Sequence, residues 1–294
     1  MDIGVFQVLQ DSQGDPAVVA KRAEELGFES YWAPDHTVLP VKFSVSYPGG
    51  EEGAEPPPYL SQLSDPLISL ARAGAVTSTI KLGTGVLLVP ERNPLLTAKQ
   101  VASLDDASGG RFLFGIGAGW NREECEILGG DFDHRWTQVK EAISVMKDLW
   151  TKDQSGHEGR YYNFAPVKCF PKPAQKPHPP VLLGGISSKR VFKRVVEWGD
   201  GWLPLLESPD ELADGIEQLK RMCDETGRDF ATVDITAFGL DGQWRTADDI
   251  AALEKAGANR VVLWLLARET EGLVAELEDL AAEVLNPPAL AANA

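Results

Sequence analysis

Short apolar runs alternate along this chain with longer stretches in which apolar residues recur every three or four positions. The first pattern predicts buried strands and the second amphipathic helices. Residues 3–8 form the first apolar run. Asp15-Pro16 then opens a helix over 17–26, because aspartate caps an N-terminus and proline suits the first helical position. Gly27 ends that helix, and a second strand follows over 28–33. Asp65-Pro66 opens the next helix, with Leu67, Leu70 and Ala71 on one face. It leads to a strand over 81–89, a helix opened by Asn93-Pro94 and a strand over 111–116. After a short polar helix, Trp136, Val139, Ile143, Met146 and Trp150 mark the face of a longer one. A strand over 181–183 precedes a helix that turns Val191, Phe192, Val195 and Val196 inward. A strand over 201–205 leads to Ser208-Pro209-Asp210-Glu211, read as a capping box, whose helix buries Leu212, Ile216, Leu219 and Cys223. The last units are a strand over 233–238, a helix over 247–256 capped by Thr246, and a strand over 260–265. A final helix carries Leu273, Leu277, Leu280 and Val284.

Two connections interrupt this rhythm. Residues 37–64 read equally as a lid or as a disordered insert. Residues 153–180 are rich in proline (Pro166, Pro171, Pro173, Pro177, Pro179 and Pro180), which forbids a helix and predicts a stiff, ordered loop. Eight strands, each followed by a helix, predict an α/β fold. The closed (β/α)8 TIM barrel, with long insertions after strands two and four, fits the chain length. A doubly wound open sheet would want Gly-x-Gly-x-x-Gly after strand one, and residues 7–14 do not supply it. One barrel domain over 1–286 and a frayed tail over 287–294 are expected.

Composition narrows the function. The 44 acidic against 28 basic residues leave a net charge of -16, which repels nucleic acid and anionic membranes and favours a small-molecule partner. Cys125, Cys169 and Cys223 are scattered and odd in number, as expected of a cytoplasmic chain without disulfides. The start lacks a basic n-region, so no signal peptide is expected, and no apolar run reaches the ~20 residues of a membrane helix. His134, His157 and His178 lack ligand spacing, so no metal is expected. The eight tryptophans read as core, except Trp32 and Trp120, which are expected beside the strand ends.

In a barrel of this kind the chemistry sits where the strands end. Strand two ends in Asp35-His36, and histidine passes protons near neutral pH. On its own this pair reads equally as a turn cap and a surface histidine. Glycines gather on the same rim, at Gly83 and Gly85, at Gly117 and Gly119, and at Gly184 and Gly185. Glycine weakens a strand, so three clusters suggest a flat ligand lying close to the backbone. The stretch Gly184-Gly185-Ile186-Ser187-Ser188 also opens a helix, where free N–H groups and the helix dipole suit a phosphate. Alone, it reads as turn glycines before a serine cap.

Taken together, Ala33-Pro34-Asp35-His36, Leu82-Gly83-Thr84-Gly85-Val86 and Gly115-Ile116-Gly117-Ala118-Gly119-Trp120-Asn121 resemble the luciferase-like monooxygenase superfamily. Pro171-Lys172-Pro173 leading to Leu183-Gly184-Gly185, with Gly199-Asp200-Gly201-Trp202 after it, extends the resemblance over essentially the whole chain. More closely, the chain resembles the branch that uses coenzyme F420, a deazaflavin. The resemblance implies a ring in the barrel mouth, a cis peptide at Gly85–Val86 behind it, and a flanking loop of Gly117, Ala118, Gly119 and Asn121. It places the phosphate at Gly184, Gly185, Ile186 and Ser187, the proton partner at His36, and Asp35 against the ring or orienting His36. Trp120 and the two long connections are expected to shape an apolar substrate pocket. Glu123 and Glu124 are expected on a helix surface. The implied activity is hydride transfer with an organic substrate. The alternatives are an FMN-dependent monooxygenase of the same superfamily and a non-catalytic flavin- or deazaflavin-binding protein. The relatives are often homodimers.

Overall fold

The computed structural model describes residues 1–8, 13–47, 55–240 and 242–286. The expected tail at 287–294 lies outside the described residues. From the N-terminus the chain forms β1 (Asp2–Phe6), α1 (Pro16–Leu26), β2 (Ser30–Ala33), α2 (Pro66–Val76), β3 (Lys81–Thr84) and β4 (Leu87–Leu88). There follow α3 (Pro94–Ala107), β5 (Phe112–Gly117), α4 (Arg122–Ile127), α5 (Arg135–Thr151), β6 (Ser155–Glu158) and β7 (Asn163–Val167). The second half comprises β8 (Val181–Gly184), α6 (Lys189–Trp198), β9 (Gly201–Leu203), α7 (Pro209–Thr226), β10 (Asp234–Phe238), α8 (Ala247–Ala256), β11 (Arg260–Trp264) and α9 (Thr270–Leu280).

The ring β1-β2-β3-β5-β8-β9-β10-β11 is parallel throughout and closes where β11 pairs with β1. This is an eight-stranded (β/α)8 barrel. The expected third strand is broken after Thr84 and resumes as β4, which pairs with Ile116 and Gly117 of β5. The peptide Gly85–Val86 between the halves is cis. The helix starts follow the caps in the sequence. The side chains of Asp15, Asp65 and Asn93 each accept N–H groups of the first turn, with proline at the first position. Ser208 completes only half of the expected box: it caps Glu211 N–H, while Glu211 reaches back to Glu207 instead. Among the described residues no helix is long and apolar enough to cross a membrane.

Two apolar cores hold the barrel. The larger lies between strands and helices. The smaller fills the barrel itself with Phe6, Val8, Trp32, Leu113, Leu182, Leu203, Phe238 and Val262. Trp32, expected beside the rim, is fully buried inside the barrel and bonds the Ser30 hydroxyl through its indole N–H at 2.8 Å. It fits there because Gly83 has no side chain: a Cβ at that position would lie 2.3 Å from the indole. At the opposite end from the site, Arg260 is buried against Glu29 (2.8 Å) and Asp234 (3.2 Å). Burial alone would raise the pKa of Glu29, but Arg260 overcomes it and lowers the carboxyl to about 2.

The proline-rich connection is ordered but not wholly extended. It contains the antiparallel β6–β7 hairpin, with Pro166 inside β7, and cis peptides before Pro171 and Pro177. Gln175 pins its far end to Asp105 of α3 at 2.6 and 2.9 Å. None of its residues reaches the cavity at the strand ends, so it does not shape the pocket as expected.

Candidate active site

A cavity of about 230 Å³ opens at the C-terminal ends of the strands. Gly85, Val86 and Leu88 line it from the broken third strand, and Gly117, Gly119 and Trp120 from the end of β5. Gly184 and Gly185, with Leu203, Leu205 and Phe238, complete the wall. Seven expected site residues therefore meet here: Gly85, Val86, Gly117, Gly119, Trp120, Gly184 and Gly185. Leu88, Leu203, Leu205 and Phe238 are the residues that sequence reasoning missed. All four stand at or just beyond strand ends, where the barrel rule alone would have found them.

The glycines have a local reason. Gly117 and Gly184 flank the Val86 side chain, and a Cβ on either would come within 2.6 and 3.0 Å of its methyls. Gly85 lies against the Phe238 ring, 2.6 Å from where its Cβ would stand. The close neighbours are thus side chains of the chain itself, and their packing builds a shallow apolar floor. That floor suits a flat ring system. Ala118 and Asn121 are buried beside it but do not line it.

Beyond the cavity wall lies a chain of titratable groups. His36 Nδ1 is 2.6 Å from Glu124 Oε2, and Trp120 donates its indole N–H to His36 Nε2 at 3.3 Å. Nδ1 thus faces Glu124, and Nε2 is the ring atom turned to Trp120. Trp120 touches both the cavity and His36, with the rings edge to face at 5.9 Å. His36 is not itself a lining residue.

Glu124 is fully buried, contrary to the helix-surface expectation; Glu123 remains half-exposed. Asn121 caps α4 by accepting Glu124 N–H at 3.0 Å, and the spacing of three puts Glu124 on the same inward helix face as the buried Asn121. Glu91, at the end of the third strand, packs behind Glu124. Neither of its oxygens meets a donor among the described residues. With no donor there to stabilise a negative charge, Glu91 is the carboxyl that keeps its proton. Burial, then the charges of Glu124 and Asp35, push its pKa up to about 9. Gly119, at φ +77, passes so close that a Cβ there would lie 2.8 Å from Glu91 Oε1.

Asp35 does not orient His36. Its buried carboxylate is held in a fork by Arg92 (3.0 and 2.7 Å) and by Leu88 N–H (3.0 Å). Burial raises its pKa, and Arg92 offsets that only in part. Asp35 therefore locks the broken third strand to the end of β2, beneath the cavity. Arg92 extends the lock to Asp65 at the start of α2.

The described part of the first long connection lies over this array. Phe43 and Tyr47 meet Trp120 edge to face at 6.1 and 5.4 Å. Val38 N–H approaches Glu124 at 3.4 Å, and Ser44 bonds Glu123. The remainder, 48–54, lies outside the described residues. At the end of β8, Ser188 caps α6 by accepting Val191 N–H, Ile186 is exposed, and Ser187 packs toward Gly215.

The barrel thus has an apolar, glycine-floored mouth beside a buried histidine–carboxylate pair, a shape that can accept a flat ring. The family model described as luciferase-like monooxygenase matches residues 12–272, and the chain belongs to that family. An uncharacterized protein of Mycobacterium tuberculosis is 32% identical over 97% of this chain and 99% of its own. Two relatives with stated activities match about half of their length. The FMNH(2)-dependent dimethylsulfone monooxygenase of Pseudomonas putida is 31% identical, covering 61% of this chain and 46% of its own. The F420-dependent glucose-6-phosphate dehydrogenase of Amycolatopsis mediterranei is 30% identical, covering 63% and 51%. Among solved structures, monooxygenase RslO1 from Streptomyces bottropensis superposes with a TM-score of 0.75 at 18% identity, covering 97% and 99% of the two chains. The F420-dependent tetrahydromethanopterin reductase of Methanopyrus kandleri gives 0.71 at 19%, with the same coverage. Relatives thus use either F420 or FMN, and the chain is an enzyme of the luciferase-like oxidoreductase and monooxygenase superfamily.

Proposed function

We propose that this protein is a coenzyme F420-dependent oxidoreductase acting on a small, largely apolar organic substrate, with His36 as the proton partner. One observation carries the reading: a histidine backed by a buried carboxylate and bonded to Trp120 of the cavity wall. Hydride exchange at a deazaflavin ring needs a proton source or sink at the substrate, and this pair can supply it. The bound coenzyme would supply the hydride chemistry. The residues present fit it. Val86 and its glycine neighbours form the floor, Leu88 and Phe238 the apolar walls, and Gly184, Gly185, Ile186 and Ser187 the seat for a phosphate before α6. Asn121 leaves its buried amide N–H₂ without an acceptor among the described residues, which is a free donor beside the ring site.

His36 would take or give the substrate proton at Nε2, the atom that Trp120 now covers. Glu124 holds Nδ1–H and so keeps Nε2 aimed outward. Phe43, Tyr47 and Trp120 exclude water. The FMN-dependent monooxygenase reading stands second, favoured by the dimethylsulfone monooxygenase relative. A homodimer is also proposed. The faces of α2 and α3 leave an apolar groove of about 480 Å³ between them, with Ile68 71% exposed. Three unpaired cysteines favour a cytoplasmic site.

The test is a panel of small alcohols, ketones and activated alkenes, offered with oxidised or reduced F420 while the coenzyme's absorbance is followed. Turnover that depends on substrate and is lost in His36→Ala supports the reading. Protein-dependent formation of an oxygenated product with reduced FMN and oxygen instead would replace it with the monooxygenase reading.

A further inference from the structure

Three arginines line a cleft of about 370 Å³ beside the cavity mouth, together with Ser188, Trp136 and Asp133. In a chain with net charge -16, basic groups are expected to be paired. These are not: among the described residues no carboxylate lies within ion-pairing distance of Arg135, Arg190 or Arg194. Arg135 spends its donors on backbone carbonyls, those of Gly119 (3.1 Å) and Phe132 (2.8 Å). Arg194 lies over the Trp136 ring at 4.3 Å. Arg190 is exposed and has no hydrogen-bond acceptor among the described residues. Asp133, the one acid in the wall, is taken by Arg122 at 2.6 Å, and His134 turns to Asp131 at 3.0 Å. The three cations also act on one another. Burial first, and then Arg190 and Arg135, lower the pKa of Arg194.

The cleft lies close to the cavity. Gly185 lines the cavity and Ser188 the cleft, so two residues, about 10 Å of chain at most, separate them. Arg135 joins the two from the other side through its bond to Gly119. A ligand whose ring lies in the cavity and whose phosphate sits before α6 would extend into the cleft.

We infer that this arginine cleft binds the anionic tail of the coenzyme, the run of carboxylates that follows the phosphodiester of a deazaflavin and that FMN lacks. The inference rests on the deazaflavin reading above. It gives the cleft a part in choosing the cofactor, because FMN ends at its phosphate and leaves the outer arginines unpaired. Guanidinium groups suit the task, since they fork onto carboxylates and stay charged.

The experiment is a fluorescence titration of the purified protein with three ligands: oxidised F420 carrying several glutamates, the same deazaflavin without glutamates, and FMN. Each is run at low and at high salt, with the wild type, Arg190→Glu and Arg194→Gln. Arg190 is exposed, so its replacement leaves the fold intact. The wild type should bind the tailed coenzyme about tenfold tighter than the tail-less one at low salt, roughly what two exposed ion pairs supply. High salt or Arg190→Glu should erase the preference. Equal affinity for the two deazaflavins in the wild type, or an unchanged preference in both variants, overturns the inference alone. Binding of neither deazaflavin overturns the cofactor reading, and the inference falls with it.

Discussion

Glu91→Gln isolates the protonated carboxyl behind the site. In the fold the Glu91 proton is held up to about pH 9, whereas in the unfolded chain it leaves near the ordinary 4.5. A carboxyl whose folded pKa is raised stabilises the fold fully below 4.5 and loses that contribution as pH climbs toward 9. Between those limits unfolding releases one proton, so stability falls by about 1.4 kcal/mol per pH unit. A chain of this length gains about 0.6 kcal/mol per kelvin of unfolding entropy near its midpoint, so the slope corresponds to roughly 2 °C in Tm per unit. Glutamine keeps the shape and a donor toward Glu124 but has no proton to lose. All other titrating groups are common to the two proteins and cancel in the difference. Thermal melts of both from pH 5 to 9 should show the lead of Glu91→Gln growing by about 2 °C per unit. Parallel curves across that range would refute the assignment of the proton to Glu91.

Further outcomes follow from the same geometry. His36→Ala should cut substrate turnover by about 100-fold or more while cofactor affinity stays within a few-fold, as stopped-flow rates and fluorescence titration would show. Glu124→Gln should lower turnover about tenfold by loosening the aim of His36, again with binding preserved; an equal loss in both measurements would mark a merely structural role. Gly117→Ala should weaken cofactor binding about tenfold by displacing Val86 into the cavity, and the double variant with Val86→Ala should restore it. Glu29→Gln should destabilise the fold by about 3–5 kcal/mol by leaving Arg260 without its main partner, as denaturant melts would show. The Glu29 carboxyl is held down to about 2, so its contribution is complete above 4.5 and lost between there and 2; the variant should therefore show a flatter acid limb.

Much of this was legible in the chain, for identifiable reasons. The caps at Asp15, Asp65 and Asn93 and the apolar runs are local, and they place strands within about two residues. The rim glycines were legible as a group, but not their immediate neighbours: Trp32, Phe238 and Val86 come to Gly83, Gly85, Gly117 and Gly184 only once the barrel closes. Glu124 escaped notice because Arg122-Glu123-Glu124 reads as a solvated first turn. The available signal was its spacing of three from the capping Asn121, which places both on one face. Glu91 and Arg92 lie between strand three and the Asn93-Pro94 cap, so the strand-end rule could have flagged them. Which acid meets His36 and which meets Asp35 depends on contacts across three strands, and no local pattern encodes those.

The most direct measurement is a paired titration of the purified protein with oxidised F420 and with FMN, each followed by its own fluorescence. The account predicts saturable binding of the deazaflavin and a clear preference for it over FMN. A preference for FMN would contradict the hydride-transfer reading and place the chain with the oxygenating members of its family.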